Sequence, residues 1–266
     1  MCIITDMNLV KHTVEHRQQK IKIATSMSGN ADRLLVFIHG LGCSRRGFDG
    51  VFTMPQLSDN YTILTLDLPG FGDSDKPQSF SYDLKEQADL VVQLIDSLGI
   101  RDIVVVGHSM GGVIGTFVAK QVDASLYINC EGNFVTEDAG FVSRRNAEQN
   151  EDSFIQEGFE QFVSQLEGSS DGAFRTWAGW CRQSSPLAFH RSAKSLVAWS
   201  DTGKLEGMYK SLKSKAYIHG DHGEITPIVS NFDSNEVFSI PHSGHFMMLD
   251  NPDEFYRVIS GIVSDQ

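Results

Sequence analysis

The sequence predicts an α/β protein: a mostly parallel, twisted sheet with helices on both faces. Three observations carry this. Its short apolar runs are continuous rather than alternating, which suits strands covered on both sides. Amphipathic helical patterns separate these runs. One long aromatic-rich stretch holds no good strand and breaks the rhythm, as a helical insertion would.

The strands come first. Leu34-Leu35-Val36-Phe37-Ile38 reads as a buried strand ended by His39-Gly40. Tyr61-Thr62-Ile63-Leu64-Thr65-Leu66 reads as the next, ended by Asp67-Leu68-Pro69-Gly70. Ile103-Val104-Val105-Val106 and Leu126-Tyr127-Ile128-Asn129-Cys130 follow, and Ala216-Tyr217-Ile218-His219 and Val237-Phe238-Ser239-Ile240 complete the set. Helices lie between them. Leu84, Ala88, Val91, Leu94, Ile95 and Leu98 share one helical face, with Asp83 and Glu86 as a start signal and Gly99 as the stop. A second helical run spans Val113 to Gln121. Near the end, Asn251-Pro252-Asp253-Glu254 reads as N-cap, N1 proline and acidic first turn. The helix it opens buries Phe255, Val258, Ile259 and Ile262.

The stretch 132–207 is rich in aromatic residues: Phe134, Phe141, Phe154, Phe159, Phe162, Phe174, Trp177, Trp180, Phe189 and Trp199. Polar residues interleave them at roughly helical spacing. It is expected to form a helical cap on a core made of 1–131 and 208–266. Most of these aromatics only fill a core, but some should face a cavity between the two parts.

Composition narrows the function. The chain has 266 residues, 41% of them hydrophobic and 21% charged, enough for one large domain with an insertion. A net charge of −12 repels nucleic-acid phosphates and anionic lipid headgroups, so neither nucleic acid nor membrane is an expected partner. Arg45-Arg46 and Arg144-Arg145 are short pairs that read as solvated faces. The start of the chain does not resemble a signal peptide, and no apolar run approaches a membrane span, so a cytoplasmic location is expected. Cys2, Cys43, Cys130 and Cys181 lack metal-ligand spacing and are expected to be reduced.

The chemistry centres on Gly107-His108-Ser109-Met110-Gly111, directly after a Val-rich strand and at the start of a helix. G-x-S-x-G in this strand–turn–helix setting presents a strained serine, with bare flanks that allow a tight turn. The helix N-terminus then faces any anion that forms beside the hydroxyl. Ser109 is therefore the candidate nucleophile. A serine hydroxyl needs a base. In Pro241-His242-Ser243-Gly244-His245-Phe246, His245 lies after the last strand, where the order nucleophile, acid, histidine places it, and it is preferred to His242. Gly244 is expected to give that loop its freedom to turn. His108 adjoins the serine but is expected to point elsewhere. His39, His219 and His222 at strand ends read as structural. An oxyanion needs preorganised donors, and the backbone N–H groups of Met110 and Leu41 are the candidates.

His39-Gly40-Leu41-Gly42, Asp67-Leu68-Pro69-Gly70-Phe71-Gly72-Asp73-Ser74, Gly107-His108-Ser109-Met110-Gly111-Gly112 and Gly244-His245-Phe246 together resemble the α/β-hydrolase superfamily, in the family order. The resemblance implies the α/β-hydrolase fold with a helical cap after the sixth strand. It also implies that 67–74 is a structural loop without chemistry. The chain departs from the family pattern at the acid. After the seventh strand the family has a form like Gly-x-x-Asp-x-x-x-Pro, and Gly220-Asp221-His222-Gly223-Glu224-Ile225-Thr226-Pro227 puts Gly223 where the carboxylate belongs. Glu224 or Asp221 could replace it with a shifted loop. Some members, such as haloalkane dehalogenases with a glutamate, carry the acid after the sixth strand, where this chain has Glu131. A charge ending an apolar strand is costly unless paired. Pairing with His245 would account for Glu131, although a hydrogen bond to the cap loop would too. Glu131 is preferred over Glu224 and Asp221.

The expected reaction is cleavage of a small carboxylic ester through an acyl-enzyme, with no metal or organic cofactor. Serine at the turn argues against dehalogenase and epoxide hydrolase chemistry, which use a carboxylate nucleophile. Lactonase, amidase and carbon–carbon bond hydrolase are alternatives within the same logic. A small-molecule receptor on a hydrolase scaffold is the rival from another class.

Overall fold

The computed structural model describes residues 9–222 and 227–265. Glu224 and Gly223, weighed above for the acid position, and Cys2 lie outside the described residues.

Eight strands form one sheet: β1 Leu9–His16, β2 Gln19–Ser28, β3 Arg33–Ile38, β4 Thr62–Leu66, β5 Asp102–His108, β6 Leu126–Cys130, β7 Lys215–Gly220 and β8 Val237–Ile240. The order is β1-β2-β4-β3-β5-β6-β7-β8. The pairs β1/β2 and β2/β4 are antiparallel, and every pairing from β3/β4 to β7/β8 is parallel. The six central and C-terminal strands are those the apolar runs predict. β4 and β6 are buried at every position, as strands between helix layers must be. The two N-terminal strands are additional. Apart from Val14, most of β1 faces water at the sheet edge, so it never forms an apolar run. The turn Arg17-Gln18 has both residues at positive φ, without the Asn-Gly signature of a tight hairpin.

The α-helices are α1 Pro55–Ser58, α2 Leu84–Leu98, α3 Met110–Gln121, α4 Gly140–Ala147, α5 Glu151–Ser153, α6 Phe159–Glu167, α7 Gly172–Cys181, α8 Pro186–Asp201, α9 Lys204–Lys210, α10 Met247–Asp250 and α11 Pro252–Ser264. A π-helical turn, Phe154–Gly158, joins α5 to α6. Asp83 caps α2 by accepting from the Lys85 and Glu86 amides, and Gly99 ends it in the left-handed conformation. Glu86 does not complete a reciprocal box. Its carboxylate instead takes Ser81 Oγ and Arg17. Asn251 precedes Pro252 as expected, yet its side chain does not cap α11. It donates to Pro241 O at 2.8 Å and so ties α11 to the loop after β8. No described helix is long and apolar enough to cross a membrane.

Everything from β6 to β7 is helix or loop among the described residues, from Thr136 to Lys210. Its buried aromatics Phe154, Phe159, Trp177, Trp180 and Phe189 belong to the same hydrophobic cluster as the strands. Trp177 Nε1 donates to Leu41 O at 2.9 Å, so the apolar ring stays buried with its polar atom satisfied.

The Arg45-Arg46 pair departs from its reading as a solvated face. Arg46 is exposed, but the Arg45 side chain is only 3% exposed and meets Asp67 at 2.6 Å and Asp73 at 2.8 Å. Asp67 ends β4 fully buried, and it also accepts from Ser44 Oγ and the Arg45 amide. A buried carboxylate at a strand end needs a charged partner, and Arg45 is that partner. The motif 67–74 is thus an ion-paired brace beneath the loop after β3. Arg144 pairs with Asp201 on the surface.

Candidate active site

Three strand ends converge at the C-terminal edge of the parallel sheet. There β5 passes into α3 through Ser109, which sits at φ 56°, ψ −122°. This is a costly conformation for a residue with a Cβ, and it is held by its surroundings. The Ser109 amide donates to Cys130 O at 3.0 Å, and the Gly112 amide donates to Ser109 O at 2.8 Å. A Cβ on Gly107 would lie 2.3 Å from Gly111 O, and one on Gly111 would lie 2.2 Å from Ile38 O, so the turn closes only with glycine at both places. Met110 is the first residue of α3, so its N–H has no partner within the helix and faces the N-terminal pole of the helix dipole.

Glu131 follows β6 and is itself at φ 48°. One carboxylate oxygen accepts from the Gly220 amide at 2.8 Å, and the other lies 2.6 Å from His245 Nδ1. The Glu131 amide donates to Ile218 O at 3.0 Å, so backbone from β7 grips the residue at both ends. The Glu131 side chain is 16% exposed and that of His245 is 43% exposed. Asp221 is placed otherwise. Its carboxylate accepts from the Ser243 amide at 3.2 Å and lies 3.5 Å from His222.

Ser109, His245, Glu131 and Leu41 line one cavity of about 310 Å³, together with Cys43 and His108. Phe174, Trp177 and Phe246 form its apolar wall, and Asn133, Asp138 and Ser143 add a polar margin. Among the described aromatics of 132–207, Phe174 and Trp177 therefore face the cavity.

His108 differs from expectation. It lines the cavity, its Nε2 bonds His245 O at 2.8 Å, and its ring lies 4.7 Å from that of His245. Burial, with the His245 charge adding to it, holds its pKa well below the usual histidine value, so the ring is neutral. No sequence signal separates this role from that of any residue beside the serine. His39 is buried, its pKa lowered by burial. Its Nδ1 lies 2.8 Å from Gly40 O, and its Nε2 accepts from the Leu68 amide at 3.0 Å, which braces the loop carrying Leu41. Gly244, expected to free the loop after β8, is not at positive φ; His242 is, at φ 56°. Cys43, Cys130 and Cys181 are free thiols. Asp221, His222 and His242 bring metal-ligating atoms together outside this cavity.

A model of the alpha/beta hydrolase family matches residues 35–258. The uncharacterized hydrolase YugF of Bacillus subtilis is 42% identical over 87 residues, 33% of this chain and 31% of that protein. A putative esterase/lipase of Mycoplasma genitalium is 27% identical over 93 residues, 35% of this chain and 34% of that protein. The chain thus spans about a third of the length of these curated relatives. Among solved structures, a thermophilic esterase from Thermogutta terrifontis superposes with a TM-score of 0.76 at 18% identity, over 97% of this chain and 98% of that one. The N-acyl homoserine lactonase AidH gives 0.74 at 20% identity, over 97% of each chain. A bromoperoxidase from Bacillus anthracis gives 0.76 at 18% identity, over 96% of this chain and 100% of that one. With the family model covering residues 35–258 and the eight-stranded sheet ordered as described, the chain belongs to the alpha/beta hydrolase family.

Proposed function

We propose that the chain is a serine hydrolase that cleaves small carboxylic esters. The observation that carries this reading is the strained Ser109, opening on the same cavity as a His245 whose Nδ1 is held by Glu131. In this reading Nε2 of His245 takes the Ser109 proton as the oxygen attacks the ester carbonyl. Glu131 holds the tautomer that leaves Nε2 free to accept, then stabilises the imidazolium. The N–H groups of Leu41 and Met110 receive the oxyanion. The imidazolium then protonates the leaving alcohol, and an acyl-enzyme remains. Water, deprotonated by His245, attacks the acyl carbon and restores the serine. No step calls on a metal or organic cofactor.

The apolar wall of Phe174, Trp177 and Phe246 suits an acyl or alcohol chain of modest size. In this reading residues 132–207 act as a cap on a core of 1–131 and 208–266, with Trp177 joining the cap to the Leu41 loop. Likeness in fold to an esterase and to a lactonase, whose substrate is a cyclic ester, supports an ester-type bond as the target.

Steady-state hydrolysis of p-nitrophenyl acetate tests the reading. Repeated turnover well above the uncatalysed rate is expected. Tight binding of small apolar esters without turnover would instead place the chain among receptors built on this scaffold.

A further inference from the structure

Beside the cavity, the loops after β7 and β8 bring Asp221, His222 and His242 together, with ligating atoms all within 4.8 Å of one another. We propose that these three side chains bind a divalent transition-metal ion of the zinc kind. This inference does not depend on the esterase reading.

The donor set is the first reason. Two imidazoles and one carboxylate suit zinc and its neighbours, not magnesium or calcium, which prefer oxygen throughout. Three protein ligands leave a fourth position for water. Geometry is the second reason. Asp221 Oδ1 and His222 Nε2 are 3.5 Å apart. Two ligands of a tetrahedral ion at about 2.1 Å would be about 3.4 Å apart, so this pair already has the spacing of neighbouring ligands. The rings of His222 and His242 are 6.3 Å apart by their centroids, and both residues are exposed, so modest rotamer changes close the set.

The third reason is that the backbone is fixed before any ion arrives. The Asp221 amide donates to Ile240 O at 3.1 Å, and the His222 amide to Ser243 O at 2.9 Å. The Ser243 amide donates to Asp221 Oδ1 at 3.2 Å, which fixes the orientation of the carboxylate, as outer partners of metal ligands do. His242 sits at φ 56° between these anchors, a conformation that favours glycine yet is occupied here by a histidine. Finally, a hollow of about 500 Å³ adjoins the cluster, lined by His222, His242 and His245 with the carboxylates of Asp171 and Asp250. It admits water and the ion, and its acidic residues attract a cation. Because His242 precedes His245 by three residues, the ion would pin the loop that carries His245 to the end of β7.

The test is calorimetric titration of metal-stripped protein with Zn²⁺ near neutral pH, and with Mg²⁺ in parallel. One zinc per chain is expected, with Mg²⁺ at least a hundredfold weaker. His222→Gln and His242→Asn should each weaken zinc by about tenfold or more. Asn tolerates the left-handed backbone, so His242→Asn keeps the loop. At one fixed zinc concentration, the melting temperature of the wild type should rise clearly more than that of either variant. Absence of zinc binding at millimolar concentration would overturn the proposal, as would equal binding by both variants. Binding that survives both variants but fails in His245→Ala would overturn it too, by moving the ion to the Glu131–His245 pair.

Discussion

Replacing Glu131 by Gln is the most informative single substitution at the site. The side chain keeps its size and its positive-φ backbone, so the fold should persist. Its hydrogen bonding cannot persist. The Gly220 amide requires an acceptor at 2.8 Å, so the Gln oxygen turns toward it and the NH₂ faces His245 Nδ1. Nδ1 must then accept, and the ring proton moves to Nε2, the nitrogen meant to receive the Ser109 proton. The reverse rotamer opposes NH₂ to the Gly220 N–H and leaves a buried donor unpaired, at a cost of about 1–3 kcal/mol. The imidazolium also loses its counter-charge. Two charges about 4 Å apart at an effective dielectric constant of about 20 attract by about 4 kcal/mol, or about three powers of ten in rate. Glu131→Gln should therefore lower kcat on a p-nitrophenyl ester by about two to four powers of ten, with the melting temperature little changed. Asp221→Asn and Glu224→Gln should each cost much less. A Glu131→Gln enzyme within tenfold of wild type, alongside a crippled Asp221→Asn or Glu224→Gln, would refute this reasoning.

Three further outcomes are expected. His39 and His108 are buried and neutral, each with a pKa lowered from 6.5, and more so for His108. The unfolded chain therefore binds more protons below that value. The stability these rings contribute is full above about pH 6.5 and is lost as pH falls, by up to about 2.7 kcal/mol per pH unit for the two together. Urea unfolding at pH 7.5 and 5.5 should show this loss, and His39→Asn should reduce it, leaving the larger share, that of His108; an unchanged slope in the variant would contradict the assignment. Arg45→Met should destabilise by about 3–5 kcal/mol because Asp67 is left buried and uncompensated, which equilibrium denaturation can check. For acyl specificity, each methylene that still fits the 310 Å³ cavity adds about 0.8 kcal/mol, so butyryl should exceed acetyl by up to about fifteenfold in kcat/KM before longer chains lose the fit. Equal constants for acetyl, butyryl and octanoyl esters would count against a shaped pocket.

The parallel sheet was legible because strands covered on both faces are apolar over most of their length, and the runs from Leu34 to Ile218 have that form; β8, at the sheet edge, is only partly buried. β1 and β2 were not, because an exposed edge hairpin needs no such run and its turn lacks glycine. Gly107-His108-Ser109-Met110-Gly111 was legible because a turn that tight leaves no room for a Cβ at its flanks. Glu131 was legible as a charge at the end of an apolar strand, an anomaly that asks for a partner. The carbonyl contact of His108, the burial of Arg45 and the bend at His242 were not. Each depends on which chain segment comes to lie opposite, and local pattern does not carry that information. Arg45 shows the point: adjacent arginines read alike in sequence, and only the fold buries one against Asp67 and leaves the other at the surface, 3.6 Å from Asp73.

In the proposed reaction Ser109 attacks the substrate. Incubating the protein with a fluorophosphonate probe, then mapping the modified peptide by mass spectrometry, tests it directly. One adduct is expected, on Ser109, with loss of both labelling and ester hydrolysis in Ser109→Ala. Labelling or hydrolysis that survives Ser109→Ala would contradict it.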